Sequence, residues 1–264
     1  MERKRTMASG IRRAAVSFLG DRRSQQDMLD CRDLPGGAFA ASVCDGMGGL
    51  NGGDLAAWEA CRGFMELCGK TLSEGNWPDP ETAAGILDRK VASLTDRDGL
   101  PLDGGTTLTG VCIQGNRAMW VAAGDSRIGL FREGRLGWLN RPHRYRLMLK
   151  EALQAGAVSM EEYQAEIIRG SALVSYLGRG ELPYIDGEAG FRLLPGDRMI
   201  LCSDGFWELL GRQGTEELLG KLDPELSNLA ELATECMERP GRGRDNASAV
   251  VIGYELFQER ERVR

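Results

Sequence analysis

Short apolar runs bounded by turn residues recur along the chain and predict a protein rich in β-strands. The runs are shorter than an ordinary helix, and several are rich in β-branched residues, which favour strands. Gly115-Asn116 and Glu133-Gly134 are turn pairs that would join neighbouring runs into hairpins. The predicted strands cover residues 14–19, 38–44, 106–114, 118–123, 128–131, 136–139, 173–177, 190–194, 199–202 and 249–254.

Apolar residues at helical spacing predict helices between these groups of strands. One apolar face directly follows a glycine-rich loop, and its members are Ala57, Cys61, Phe64, Met65 and Cys68. Asp79-Pro80 predicts a second helix ending near residue 94, because aspartate caps a helix and proline fits its first turn. Ser159 with Glu162 predicts a capping box, and Asp223-Pro224 predicts a further helix start. Helix pairs set among hairpins favour an α+β layered domain over a doubly wound one.

The 264 residues are expected to form one domain, because no internal repeat, low-complexity segment or linker interrupts the pattern. The predicted domain covers residues 10–256, with a basic N-terminal arm at 1–9 and a charged tail at 257–264. No apolar run approaches the ~20 residues of a membrane span, and no secretory signal precedes the first strand. The expected location is therefore the cytoplasm.

Composition narrows the classes of function. The net charge of −6 argues against nucleic acid as the main partner, because phosphate binding needs a basic face. The seven cysteines include no Cys-x-x-Cys pair and predict neither a disulfide framework nor a zinc site. His143 is the single histidine of the sequence, which excludes a zinc site built on several imidazoles.

Three aspartates, Asp45, Asp204 and Asp245, each stand beside a small residue at the edge of an apolar run. Carboxylates suit hard divalent cations such as magnesium and manganese, because these cations prefer oxygen ligands of opposite charge. Three carboxylates that meet at strand ends could hold a pair of metals. The glycine after two of them would leave the backbone carbonyl free to coordinate as well. The pattern predicts a metal-dependent hydrolase.

The glycine-rich segment at residues 46–53 permits two interpretations. Backbone N–H groups ahead of a helix could cradle a phosphate, or the segment could be a flexible turn. Asn51 stands where a dinucleotide fingerprint needs its third glycine, and no nucleotide P-loop sequence occurs. Residues 124–127 and 203–208 could likewise be simple hairpin turns or helix caps when each is taken alone.

Five motifs stand in a fixed order along the chain, and together they are far more specific than any one of them. They are residues 22–27, the glycine-rich element that starts at Asp45, residues 104–107, residues 124–127, and residues 203–205 with 245–246. In this order they resemble the metal-dependent serine/threonine protein phosphatases of type 2C, the PPM family, in particular its bacterial branch. The resemblance extends from about residue 12 to residue 254.

The resemblance implies a fold and a set of metal ligands. The fold would be a four-layer α-β-β-α sandwich, in which two antiparallel sheets are flanked by helix pairs. By motif position, Asp45 would bridge two divalent cations and the carbonyl of Gly46 would bind one of them. Asp204 and Asp245 would complete the other. Asp125 stands where the family has an acidic ligand for a weaker third cation, shared with Asp204.

The resemblance also implies supporting and substrate-binding residues. Arg22 would receive the phosphoryl oxygens, for which a planar guanidinium is well suited. Asp27 and Asn246 would support the metal ligands. Gln26 is neutral where some relatives have a glutamate, so it would reach a metal only through water.

The chemistry expected from these residues agrees with the resemblance. A phosphate monoester hydrolyses very slowly unaided, so a catalyst must supply a nucleophile and neutralise charge. Two divalent cations about 4 Å apart can activate a water between them and orient it in line with phosphorus. We expect a phosphatase that uses two manganese or magnesium ions, with a weaker third, to hydrolyse phosphoserine and phosphothreonine in proteins. Its expected partners are phosphorylated proteins and a cognate serine/threonine kinase system, and the chain is expected to be a monomer.

Several positions depart from the pattern of the family. Met47 stands where many relatives have a histidine that protonates the leaving group, so water must serve here. Pro142 replaces an aspartate ahead of His143, which favours a structural role for that histidine. Glu208 replaces a frequent aspartate and leaves the geometry of the third cation open. Residues 143–171 form a charged, helical insert where relatives have a flap beside the active site.

Two other functions stay open from sequence alone. A non-catalytic phosphoprotein-binding module of the same fold is favoured only by these departures, and the retained aspartates oppose it. A nucleotide-binding enzyme is favoured only by the glycine-rich loop, and the missing P-loop lysine opposes it.

Overall fold

The computed structural model describes residues 7–48, 52–96, 98–237 and 244–258. In chain order these residues form β1 (Met7–Phe18), β2 (Asp27–Leu34), β3 (Ala38–Gly48), α1 (Gly52–Ser73), α2 (Pro80–Ala92), β4 (Gly104–Thr106), β5 (Leu108–Gln114), β6 (Arg117–Ala123), β7 (Arg127–Arg132), β8 (Arg135–Trp138), α3 (Tyr145–Gln154), α4 (Met160–Glu166), β9 (Asp186–Arg192), β10 (Arg198–Cys202), α5 (Asp204–Lys221), α6 (Leu229–Met237) and β11 (Ala247–Gln258).

The strands form two antiparallel sheets. One has the order β1-β11-β10-β7-β8, and the other has the order β2-β3-β5-β6-β9 with the short β4 paired to the end of β3. The first and last strands of the chain are therefore neighbours, with Phe18 opposite Ala247 at one end of their pairing. This pairing brings the loop after β1 next to the residues that precede β11.

Three apolar layers confirm the predicted α-β-β-α sandwich. The first lies between the helix pair α1–α2 and its sheet and includes Phe64 and Leu87. The second lies between the two sheets and includes Phe39 and Ile128. The third lies between the other sheet and α5–α6 and includes Phe206. Central strands are covered on both faces, which explains why they read as continuous apolar runs rather than as alternating ones.

Local signals at several element ends are confirmed. Asp79 caps α2, because its side chain accepts a 2.9 Å hydrogen bond from the backbone N–H of Thr82. Ser159 and Glu162 form the expected capping box at the start of α4. The hairpin of β5 and β6 turns at Gly115 and Asn116. The insert at residues 143–171 is helical, as predicted, and contains α3 and α4.

One strand prediction was wrong, and the start of one predicted helix was misplaced. Residues 173–177 form no strand, because Leu173 bridges to Arg144 while Leu177 bridges to Thr106, so no single partner runs alongside. The helix predicted from Asp223-Pro224 begins only at Leu229. Leu226 has a φ of 59°, which breaks the helical path, and the Asp223 side chain caps a turn at Ser227 instead.

Two elements were missed and one was displaced. The edge strand β2 mixes charged and apolar residues without a regular alternation and lacks a long apolar run. Glycines at several positions of α5, including Gly211 with a φ of 63°, weaken its helical signal. The strand predicted at 190–194 corresponds to β9, which begins four residues earlier, at Asp186.

Among the helices of the described ranges, none combines the length and the apolar character needed to cross a bilayer.

Candidate active site

Four of the predicted aspartates meet in one cavity at an edge of the sandwich. Asp45 lies near the end of β3, Asp125 follows β6, Asp204 is the first residue of α5, and Asp245 directly precedes β11. All four line a cavity of about 480 Å³. The two sheets thus bring residues from distant parts of the sequence to a common point.

Three of these carboxylates form a tight cluster. Asp45, Asp125 and Asp204 each present an oxygen that lies within 4.8 Å of the oxygens of the other two. Asp245 lines the same cavity, but its Oδ2 accepts a 2.6 Å hydrogen bond from Nη2 of Arg22. The predicted phosphate-binding arginine therefore lies beside a predicted metal ligand.

Two threonines fix the backbone of Asp45. The backbone N–H of Asp45 donates to Oγ1 of Thr107 at 2.9 Å, and the N–H of Thr107 donates back to the Asp45 carbonyl at 2.9 Å. Oγ1 of Thr106 donates to the same carbonyl at 3.0 Å. Thr107 also shares a 2.7 Å hydrogen bond with Ser126, next to Asp125. This explains the motif at residues 104–107, which positions the central carboxylate.

Close packing requires the glycine that follows each of two predicted ligands. A Cβ on Gly46 would lie 2.2 Å from the carbonyl oxygen of Gly53, at the start of α1. A Cβ on Gly205 would lie 2.1 Å from the carbonyl oxygen of Asn246. The structure therefore gives these glycines a steric reason in addition to the free carbonyl expected from sequence. Residues 49–51 of the glycine-rich segment lie outside the described residues, and so does that part of the phosphate-cradle interpretation.

Asp27 lies directly behind the cluster. It is opposite Asp45 in the pairing of β2 with β3, and its Oδ2 accepts a 2.7 Å hydrogen bond from Oγ of Ser203. Burial raises the pKa of Asp27 to about 6. Its position links β2 to the start of α5, which is consistent with the supporting role expected of it.

Asn246 connects the start of β11 to both ends of the loop that presents Arg22. Its Oδ1 accepts a 2.9 Å hydrogen bond from the backbone N–H of Gln26. Its Nδ2 donates at 2.9 Å to the carbonyl of Leu19. Arg22 and Gln26 both line the cavity. Asn246 therefore fixes both ends of the loop that carries Arg22, and its own carboxamide faces that loop.

Burial, together with the charges of neighbouring carboxylates, raises the pKa values of the clustered carboxyl groups. Burial is the largest cause at Asp45, whose pKa lies well above its ordinary value, and neighbouring carboxylates add to it. Burial and the charges of Asp125 and Glu208 raise the pKa of Asp204 to about 7. Burial also raises the pKa of Asp125, although the charge of Arg144 acts against it. Carboxylates held this close favour a cation between them.

A buried arginine that the sequence analysis did not single out lies among these carboxylates. Arg144 donates from Nε to Oδ2 of Asp125 at 2.6 Å and from Nη2 to Oδ2 of Asp204 at 3.1 Å. Its Nη1 lies 2.5 Å from Oε1 of Glu208. Its guanidinium also stacks over the ring of Trp207, 5.5 Å from the centroid. The one available sequence signal was its place directly after the Pro142-His143 pair.

His143 lies away from the cavity lining and is fully buried. Its Nδ1 accepts a 3.1 Å hydrogen bond from the backbone N–H of Gly124, and its Nε2 lies 3.4 Å from Oδ2 of Asp186. The ring stacks on Tyr184. These contacts agree with a structural role, since they hold the turn before Asp125 against the insert.

Comparison with known proteins decides the family. The model of the Protein phosphatase 2C family matches residues 17–238, which is most of the chain. The chain belongs to the protein phosphatase 2C family. A putative protein phosphatase 2C-type protein of Streptococcus pyogenes is 27% identical over 227 residues, covering 81% of this chain and 88% of that protein. The serine/threonine protein phosphatase PstP of Mycobacterium tuberculosis is 28% identical over 84% of this chain, a match that spans 42% of PstP.

Solved structures of bacterial protein phosphatases have the same fold. The Streptococcus agalactiae serine/threonine phosphatase superposes with a TM-score of 0.72 at 22% identity, over 92% of this chain and 99% of that one. The PstP catalytic domain in complex with two manganese ions superposes with a TM-score of 0.67 at 25% identity, over 94% of this chain and 100% of that one. These likenesses confirm the predicted family, fold and enzyme class.

The side chains of this protein phosphatase 2C family member fit hard divalent cations. The cavity offers carboxylate oxygens and a backbone carbonyl, and its lining in the described residues contains neither histidine nor cysteine. Oxygen donors of this kind suit manganese and magnesium rather than zinc. Burial and neighbouring carboxylates raise the pKa values of Asp45 and Asp204, and a bound cation would stabilise the ionised forms of both groups.

Proposed function

We propose that this protein hydrolyses phosphoserine and phosphothreonine monoesters in other proteins, with manganese or magnesium as its cofactor. The observation that supports this most strongly is that the carboxylates of Asp45, Asp204 and Asp245 line one cavity together with Arg22. The family, and the manganese-containing structure of the PstP catalytic domain, support the same reading.

The ligands of the proposed cations are the ones that the motifs indicate. Asp45 would be shared between two cations, with the carbonyl of Gly46 on one and the carboxylates of Asp204 and Asp245 on the other. The cations would neutralise phosphoryl charge and supply a water activated for attack on phosphorus. The residues of the chain hold this arrangement in place, since the backbone of Asp45 is fixed by Thr107 before any cation binds.

Asp245 has a double role in this proposal. In the structure its Oδ2 is held by Arg22, so cation binding and the position of that arginine are linked. Asp245 would hold a cation, and the guanidinium of Arg22 would then be available to donate paired hydrogen bonds to phosphoryl oxygens. Arg22 is well exposed, with 59% of its side chain accessible, so it can reach a substrate at the mouth of the cavity.

The proton for the leaving group comes from solvent in this proposal. Met47 lines the cavity where many relatives have a histidine, and His143 is buried elsewhere. The described lining therefore offers no imidazole. The cavity is accessible to solvent at the side chains of Arg22 and Asp245, which are 59% and 40% exposed, so water can reach the leaving oxygen.

Replacing Arg22 with alanine is expected to raise KM for phosphate esters about tenfold or more, with a smaller effect on kcat. The change removes a charge-assisted hydrogen bond to the substrate, worth roughly 1.5–3 kcal/mol. Steady-state kinetics with p-nitrophenyl phosphate measure it. Arg23→Ala removes a neighbouring arginine that does not line the cavity and is the matched control. An unchanged KM in Arg22→Ala would show that Arg22 does not bind substrate.

The function itself is tested with phosphopeptides. Phosphoserine, phosphothreonine and phosphotyrosine peptides are incubated with the protein in added manganese, in added magnesium, and after chelation. We expect phosphate release from the first two peptides only, and only with metal. Binding of phosphopeptide without release of phosphate would instead support the non-catalytic alternative.

Four expectations from the sequence stay predictions. They are the opposing kinase, the monomeric state, the cytoplasmic location and the domain boundaries at 10 and 256.

A further inference from the structure

We propose that the guanidinium of Arg144 is a built-in cation that takes the place of a third metal ion, so that this active site holds two divalent cations and not three. The inference rests on the proposed metal dependence. The family resemblance implied a weaker third cation bound by Asp125 and shared with Asp204. In the structure both carboxylates already have a positively charged partner, and that partner belongs to the chain.

The contacts of Arg144 surround it with acids. Its Nε donates to Asp125 at 2.6 Å, its Nη2 donates to Asp204 at 3.1 Å, and its Nη1 lies 2.5 Å from Glu208. Each of the three nitrogens thus meets a different carboxylate. A third cation bound by Asp125 and Asp204 would have to displace two of these contacts and would face the guanidinium at close range.

The arginine is also held rigidly. Only 10% of its side chain is exposed, and the guanidinium stacks over Trp207. The indole of Trp207 is itself fixed, because its Nε1 donates at 3.0 Å to the carbonyl of Asp125. The backbone of Arg144 is anchored at the start of α3, where its N–H donates at 2.9 Å to Pro142. Moving this side chain out would leave the buried carboxylate of Asp125 without its charged partner, at high cost.

The balance of charge supports two cations. Among the described side chains, the carboxylates at or directly behind the cavity are Asp27, Asp45, Asp125, Asp204, Glu208 and Asp245. The arginines there are Arg22 and Arg144. Six negative and two positive groups leave four negative charges, which two divalent cations neutralise. A third divalent cation would overcompensate them.

Glu208 completes the arrangement. It stands where the family frequently has an aspartate, and its longer side chain reaches Nη1 of Arg144 from α5, one turn after Asp204. The departure at Glu208 and the arginine after His143 therefore act as a pair. Arg144 is a positioning residue in this account, because it orients the carboxylate of Asp204 without being required to touch the substrate.

Counting bound manganese tests the inference directly. Titration calorimetry, with free manganese followed by electron paramagnetic resonance, gives the number of ions per chain. We expect two in the wild type and two in Asp125→Asn, because Asp125 holds the arginine and no metal. In Arg144→Gln we expect a third, weaker ion, and the double variant Arg144→Gln with Asp125→Asn should return to two.

Two controls separate this effect from general destabilisation. Arg127→Gln removes another arginine that stacks on Trp207 but pairs with no cavity carboxylate, and it should keep two ions. Arg144→Lys keeps a positive charge at the position and should also keep two. If Arg144→Gln does not fold, the numbers of manganese ions bound by the wild type and by Asp125→Asn still test whether Asp125 holds a third ion.

Two results would overturn the inference. One is a third ion in the wild type that Asp125→Asn removes, and the other is a folded Arg144→Gln that still holds only two. The proposed function fails separately. A protein that binds two manganese ions without releasing phosphate from any phosphopeptide would contradict the phosphatase proposal and leave the role of Arg144 intact.

Discussion

Replacing Asp45 with asparagine is expected to lower turnover of p-nitrophenyl phosphate in saturating manganese about a thousandfold, or ~4 kcal/mol in activation free energy. Asp45 is the member of the cluster that would be shared by both cations, so its loss weakens both sites together. Asparagine has nearly the same shape, and the threonine contacts to the backbone of residue 45 do not involve the side chain. The loss should therefore be one of chemistry and not of folding.

The same substitution is expected to leave the metal-free protein at least as stable as the wild type. The pKa of Asp45 is raised in the folded state, so its ionised form is less favourable there than in the unfolded chain. Ionised Asp45 therefore lowers the free energy of unfolding. This loss of stability begins when the pH rises above the ordinary pKa of an aspartate and grows until the pH passes the raised pKa of the folded state. Replacing Asp45 with asparagine removes it. The Asp45→Asn variant should therefore unfold at or above the melting temperature of the wild type at pH 8 without metal, as measured by thermal unfolding.

Asp33→Asn is the matched control for Asp45→Asn. Asp33 lies on the neighbouring strand β2, where its exposed carboxylate pairs with Arg13 far from the cavity lining. Turnover in Asp33→Asn should be close to that of the wild type. Near-normal turnover in Asp45→Asn would refute the assignment of this residue to the metal site.

Replacing Gly205 with alanine is expected to lower stability by about 3 kcal/mol or more and to reduce turnover with it. The new Cβ would lie 2.1 Å from the backbone carbonyl oxygen of Asn246, a contact that only a backbone shift can relieve. The shift would separate Asp204 from Asp245, whose segments pack together at this glycine. Thermal unfolding should show a fall of about 5–10 °C, and kinetics should show a loss that added manganese only partly restores.

Gly214→Ala is the matched control, because it adds the same methyl group to the same helix. Its Cβ would meet Leu210 at 3.4 Å, an ordinary contact, and alanine favours helix over glycine. We expect unchanged or slightly higher stability in that variant. Equal melting temperatures for Gly205→Ala and the wild type would show that the close approach of α5 to the segment before β11 is not required.

The layered fold and most of the site could be predicted because the relevant signals are local. Apolar runs and turn pairs located most strands, and the ordered aspartate motifs located Asp45, Asp125, Asp204 and Asp245, which the structure brings to one cavity. Each of these motifs places an aspartate next to the end of a strand or the start of a helix, and both features can be recognised in the sequence. The edge strand β2 was missed because irregularly spaced charged residues interrupt its apolar positions, and the helix α5 was missed because repeated glycines weaken its helical signal.

What could not be predicted depends on contacts between distant segments. Arg144 is 60 residues from Asp204, and its place after the Pro142-His143 pair does not reveal that its guanidinium lies among carboxylates. The steric need for Gly205 depends on the backbone of Asn246, which only the fold places there. The hydrogen bond of Arg22 to Asp245 spans 223 residues and likewise follows from the pairing of the first and last strands.

The most direct test of the account is the location of manganese in crystals of the wild-type protein, read from its anomalous scattering. We expect two peaks, one on each side of the Asp45 carboxylate. Asp204 and Asp245 should be ligands of one manganese ion, and the Gly46 carbonyl should be a ligand of the other. Crystals of Asp45→Asn grown alongside should show both peaks weakened. Manganese that is absent from Asp45 in fully soaked wild-type crystals, or bound only elsewhere, would contradict the account.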